Sequence, residues 1–256
     1  MTRNPLKAAL AQNRNLPGFW LSLCSPTVTE IAGGSGADWV LLDMEHAPND
    51  LSMMADQLRA AQAAGGPEPV VRLPVSEPVM TKRLLDIGAR SLMFPMVQSG
   101  EMAAEVVRWT CYPPVGLRGH SGTIRANRYG RQTDYLQTYQ DDLCIIVQVE
   151  TPEAIDAIPR IAAVEGVDAI FIGPGDLASS MGEVGNVGAA AVQEEIRRAT
   201  AACKAAGIPV GILGYGEDAA RRYFEAGINF VAVGGDAWLL AQAMDRLLRV
   251  LRDDRD

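Results

Sequence analysis

The chain has 256 residues, enough for one large domain with a well-buried core and typical of a single β/α barrel. Its 23 lysines and arginines against 31 aspartates and glutamates give a net charge of −8, which argues against nucleic acid and anionic membrane as partners. No apolar stretch approaches the roughly 18 to 20 residues of a membrane span. The first ten residues lack the apolar core of a signal peptide. Cys24, Cys111, Cys144 and Cys203 lie far apart with no Cys-x-x-Cys pair, so a reduced, cytoplasmic protein of one domain is expected.

Eight apolar runs read as strands, at residues 18–23, 39–43, 70–72, 91–94, 144–150, 169–172, 210–213 and 230–233. Helical patterns lie between most of them. Over 51–64, Leu51, Met54, Ala55 and Leu58 follow the i, i+3, i+4, i+7 stripe. Pro78 opens and Gly88 closes the next pattern, and Thr151 followed by Pro152 starts another directly after Glu150. Later helices end at Gly207 and Gly227. Strands alternating with helices predict a (β/α)8 TIM barrel spanning 1–256. An open doubly wound sheet would need a Gly-rich dinucleotide loop after its first strand, and Cys24-Ser-Pro-Thr-Val28 is not one. Residues 111–142 hold Pro113, Pro114, Gly116, Gly119, Gly122 and four arginines (Arg118, Arg125, Arg128, Arg131), an irregular segment expected on the catalytic face after strand four. Residues 230–251 carry Trp238, Leu239, Leu240, Met244, Leu247, Leu248 and Leu251, a wider apolar face than one barrel-closing helix needs, so an oligomer is expected; that the helix simply closes its own barrel is the plainer alternative. The charge run 252–256 reads as a solvated tail.

Polar residues end several of these runs, and in a parallel barrel the strand C-termini converge on the face where active sites are built. Glu150 and Asp176 would repel unless a cation lies between them, and two hard oxygen ligands suit Mg²⁺ or Mn²⁺. A capping Glu and a turn Asp are the plainer alternative. His46 follows Asp43 and Glu45 after strand two; a lone histidine is commonly structural, but this position favours proton transfer. Spacing offers Asp43 or Glu45 as the carboxylate that orients it. Arg72 ends strand three, where a guanidinium can hold a carboxylate or an enolate oxygen. Only three lysines occur (Lys7, Lys82, Lys204), and none ends a strand where a Schiff base would have to form. His120 is left without a role.

With these segments in place the sequence resembles the HpcH/HpaI aldolase family, the metal-dependent (class II) pyruvate aldolases. The resemblance rests on Asp38-Trp-Val-Leu-Leu-Asp43-Met-Glu-His46, Val70-Val-Arg72, Leu84-Leu-Asp86-Ile-Gly88, Pro95-Met-Val-Gln98, Tyr112-Pro-Pro-Val-Gly-Leu-Arg118-Gly119, Gln148-Val-Glu150-Thr and Gly173-Pro-Gly-Asp176-Leu, and it runs in order from about Gly18 to Leu240. It implies that Glu150 and Asp176 ligate a divalent cation (Mg²⁺, Mn²⁺ or Co²⁺). It also implies that His46 is the general base with Asp86 raising its basicity, that Arg72 stabilises the enolate, and that Gln148, Gly175 and Asp176 contact the oxo acid. The implied reaction is reversible cleavage of a 4-hydroxy-2-oxo acid to pyruvate and an aldehyde, in a hexamer built as a dimer of trimers in which residues 235–256 pack on a neighbouring subunit. Residues 119–125 and 213–217 depart from the family's usual form and are expected at the aldehyde end. A lyase on CoA thioesters, with the arginines of 111–142 as its phosphate groove, and a non-catalytic oxo-acid binding protein are the alternatives.

Overall fold

A computed structural model describes residues 4–253, so residues 254–256 of the C-terminal charge run lie outside the described residues. Eight parallel strands close into a barrel in sequence order: β1 (Leu16–Leu21), β2 (Trp39–Asp43), β3 (Glu68–Arg72), β4 (Ser91–Phe94), β5 (Cys144–Val149), β6 (Ala169–Ile172), β7 (Val210–Leu213) and β8 (Phe230–Gly235). Four match their expected spans residue for residue; β1 and β3 begin two residues earlier. The helices are α1 (Pro5–Leu10), α2 (Pro26–Gly33), α3 (Leu51–Ala63), α4 (Pro78–Asp86), α5 (Gly100–Thr110), α6 (Tyr135–Asp142), α7 (Pro152–Asp156), α8 (Ile158–Ala162), α9 (Pro174–Ser180), α10 (Ala190–Ala206), α11 (Glu217–Glu225) and α12 (Asp236–Asp253). Among the described residues no helix is long and apolar enough to cross a membrane.

Strand side chains alternate between two apolar layers, which is why the strands read as unbroken apolar runs. Trp39, Leu41, Val70, Ile146, Phe171 and Phe230 fill the barrel interior, and Leu6, Ala9 and Leu10 of α1 pack on the same cluster. Val40, Leu42, Val71, Ile145, Val147 and Ile170 face outward into the layer shared with the helices. Each such side chain contributes roughly 1.5–3 kcal/mol relative to exposure. Gly18 is required by this packing, because a Cβ there would sit 2.3 Å from the Trp39 ring.

One expectation fails. The segment 111–142 follows α5 rather than β4, so it lies at the N-terminal rim of the barrel, opposite the strand C-termini. α12, for its part, leaves its own barrel: Trp238, Leu240, Met244, Leu247, Leu248 and Leu251 are all exposed, the last by 60%.

Candidate active site

The period of two that buries Trp39 and Leu41 brings Asp43 to the interior at the strand's end, and it does the same for Arg72 after Val70 and for Gln148 after Ile146. Asp43 and Arg72 face each other in register. Arg72 grips Asp43 with both arms, Nε to Oδ1 at 2.9 Å and Nη2 to Oδ2 at 2.6 Å, and its Nη1 lies 2.7 Å from Glu45 Oε2. Trp20 completes the cluster: its Nε1 donates to Asp43 Oδ2 at 3.1 Å, and its ring lies 4.6 Å from the guanidinium carbon. Asp43 Oδ1 also accepts from the backbone N–H of Glu45 at 2.9 Å and of His46 at 3.4 Å, which sets the path of the loop carrying the histidine. Burial opposes ionisation of Asp43, but the hydrogen bonds and charge of Arg72 prevail and hold its carboxyl below the usual range.

Glu150 sits between the end of β5 and the Thr151 cap of α7, as the sequence indicates. Its Oε2 accepts from the Met96 N–H at 2.8 Å and its Oε1 from Gln148 Nε2 at 2.5 Å. Gly173 makes this possible, since a Cβ there would lie 2.3 Å from Glu150 Oε1. Burial pushes the Glu150 carboxyl up to about 7; the Met96 hydrogen bond resists this, and the charges of Asp176 and Glu45 add to it. Glu45 is raised too, by burial first. Asp176 is in the first turn of α9. A cavity of about 290 Å³ opens here, lined by Trp20, His46, Arg72, Gln148, Asp176 and Tyr215 among others, with Glu150 beneath the lining.

Asp43, Glu45, Glu150 and Asp176 thus gather near one arginine, four carboxyls to one guanidinium, with Glu45 and Glu150 raised by burial first and by neighbouring carboxylates second. A divalent cation fits that imbalance, and the donors on offer are the hard oxygens Mg²⁺ and Mn²⁺ prefer. No cluster of three His, Cys, Asp or Glu side chains forms a ready cage among the described residues. A cation held by Glu150 and Asp176 would therefore take its remaining ligands from water and substrate. The lysines lie elsewhere: Lys7 pairs with Asp168 at 3.1 Å, and Lys82 and Lys204 are on α4 and α10.

A family model described as HpcH/HpaI aldolase/citrate lyase matches residues 17–243. The chain belongs to this family. It is 46% identical over 244 residues to a 5-keto-4-deoxy-D-glucarate aldolase of Citrobacter koseri, covering 95% of each chain. It is likewise 46% identical to a 4-hydroxy-2-oxo-heptane-1,7-dioate aldolase of Escherichia coli, covering 95% of this chain and 93% of that one. The crystal structure of a family member from Burkholderia cenocepacia superposes with a TM-score of 0.95 at 45% identity, covering 97% and 99% of the two chains. The chain is a lyase of the aldolase type.

Most residues expected from the family resemblance converge on one cavity: His46, Arg72, Gln148, Gly175 and Asp176 line it and Glu150 supports it. Asp86 does not join them. It ends α4 at the N-terminal rim, where Oδ1 accepts from Arg118 Nη2 at 2.9 Å, so within one chain the expected pairing with His46 is not made. Within one chain residues 119–125 do not line this cavity: Gly119 lies beside Lys82 of α4 and Arg125 beside Gly88. His120 is exposed, edge-on to Tyr112 at 5.9 Å. The other atypical segment is at the site: Leu213 and Tyr215 both line the cavity. Sequence reading missed Trp20 and Phe171. Both alternate with core residues of the barrel interior, a signal that does not separate lining from packing.

Proposed function

We propose that this aldolase uses a divalent cation (Mg²⁺, Mn²⁺ or Co²⁺) to cleave, and reversibly form, the C3–C4 bond of 4-hydroxy-2-oxo acids, giving pyruvate and an aldehyde. The carboxylate excess around Arg72, with Glu150 buried beside Asp176, is the observation that carries this reading. Glu150 and Asp176 would hold the cation, which when bound supplies the Lewis acidity that polarises the oxo group. Gln148 fixes the orientation of Glu150 and keeps its own buried Oε1 without a protein partner, ready for a donor on the ligand. The N–H groups of Gly175 and Asp176 open α9, where no helical carbonyl precedes them, and take the C1 carboxylate. His46 takes the C4 hydroxyl proton on a ring nitrogen as the C3–C4 bond breaks and the aldehyde departs. Arg72, held rigidly by Asp43 and Glu45, meets the negative charge that develops on the oxo oxygen. Protonation at C3 then yields pyruvate.

The protein is proposed to act as a cytoplasmic homo-hexamer, a dimer of trimers, with 235–256 packed on a neighbour. The exposed apolar face of α12 supports the assembly, and four unpaired cysteines, three of them buried, support a reducing compartment. A CoA-thioester lyase would need a cationic groove beside the cavity, and the arginines of 111–142 lie at the other rim. A coupled lactate dehydrogenase assay over 4-hydroxy-2-oxo acids with aliphatic, acidic, sugar-like and aromatic tails tests the reading. Pyruvate release from at least one is expected. Tight pyruvate binding with no turnover of any would instead indicate a non-catalytic oxo-acid binder.

A further inference from the structure

The N-terminal rim holds a second cavity, of about 510 Å³, at the far end of the barrel from the first. Arg90, Arg125, Arg128 and Arg131 line it against a single carboxylate, Asp142. Arg90 pairs with Glu68 at 2.6 Å. Arg125 is held by neutral acceptors, its Nη1 donating to Ile87 O at 2.7 Å and its Nη2 to Gln62 Oε1 at 2.6 Å, which orient the guanidinium without cancelling its charge. Burial and the nearby Arg59 charge push Arg125 down. Behind the Tyr135 and Tyr139 wall lies Arg118, 1% exposed, whose Nε and Nη1 are buried without a partner. Gathering like charges in this way is costly, and in a chain of net charge −8 it has no part in overall solubility.

The arginines project from fixed backbone. Asn127 Oδ1 accepts from the N–H groups of Ile124 (3.2 Å) and Gly130 (2.8 Å), and its Nδ2 donates to Gly122 O at 2.9 Å. Arg128 and Tyr129 are held at φ 54° and 58°, in the left-handed region. Guanidinium forks on a rigid frame match the oxygens of phosphate and carboxylate groups.

We infer that this cavity is a second ligand site, for a small molecule bearing two or more anionic oxygen groups. Phosphate esters and polycarboxylates share that chemistry.

Isothermal titration of the metal-free protein with pyrophosphate and with citrate, against chloride at matched ionic strength, tests it, alongside the double variant Arg128→Ala/Arg131→Ala. Both residues are exposed, and the variant's melting temperature and basal pyruvate release report that its fold and first site are intact. Binding above the chloride control is expected, weakened about tenfold for each arginine removed. Response to pyrophosphate alone would assign phosphate esters, and to citrate alone polycarboxylates. Equal affinity in the double variant would place the anion in the catalytic cavity and overturn the inference, as would no binding above chloride.

Discussion

Asp43 and Arg72 show how a barrel turns core positions into a charged site. Their side chains point where apolar ones point two residues earlier, so they are buried and must satisfy each other. Asp43's folded-state pKa lies below its unfolded value, so the pair stabilises the fold above that unfolded value, near 3.9, and the contribution is lost as pH falls through the lower folded one. Asp43→Asn leaves a buried guanidinium short of one partner and is expected to cost about 3–5 kcal/mol at pH 7. Urea unfolding of both proteins should show the gap closing on acidification below about pH 4. A gap unchanged at pH 3 would mean that ionised Asp43 is not the partner that matters. His46 is proposed to take the reacting proton: His46→Ala is expected to lose on the order of 10²–10⁴-fold in turnover while still binding pyruvate or oxalate. A variant with the pH–rate profile of the parent would remove His46 from the mechanism. The site's charged members were legible in sequence because each breaks an apolar run. Asp86 rests on the resemblance alone, because a helix-end carboxylate carries no sign of which rim it serves; within one chain it pairs with Arg118.

At the scale of elements, strand ends were readable and rim assignment was not. A run buried on both faces announces itself by composition, and Trp39–Asp43, Ser91–Phe94, Ala169–Ile172 and Val210–Leu213 emerge as marked. The misplacement of 111–142 traces to one overlooked helix. α5 begins at a Ser99 cap whose side chain accepts from Met102 N, and once that helix is counted the segment after it must emerge at the opposite rim. α12 illustrates the complementary case, where sequence exceeded what one chain can use. Trp238 at its start rests against Tyr215 at 5.2 Å and the helix touches β1 and β8, but Leu240, Met244, Leu247, Leu248 and Leu251 stay exposed. Light scattering at micromolar concentration is expected to give an oligomer, and truncation after Ala237, which retains the Asp236 contacts to Ser22 and Leu23, is expected to give smaller species. A monomeric full-length chain would reject the assembly, and an intact oligomer after truncation would move the interface elsewhere.

Across the whole molecule, the two ends of the barrel are built for different charges. The strand C-termini collect Asp43, Glu45, Glu150 and Asp176 around one arginine, and the cavity at the opposite rim is lined by four arginines and one aspartate. The interior between them is sealed by Trp39, Phe171 and Phe230, whose rings meet at 5.5 to 6.3 Å. No lysine lines this cavity among the described residues, and the proposed chemistry on an oxo acid there rests on a cation at the acidic end. The most direct measurement is pyruvate release after exhaustive chelation and dialysis, followed by readdition of Mg²⁺, Mn²⁺ or Co²⁺, with wild type and Glu150→Gln side by side. Activity is expected to vanish on chelation, to return with the cation in wild type, and to return poorly in Glu150→Gln. Full turnover by the metal-free protein, or a covalent pyruvate adduct trapped by borohydride, would contradict a metal-dependent site at Glu150 and Asp176.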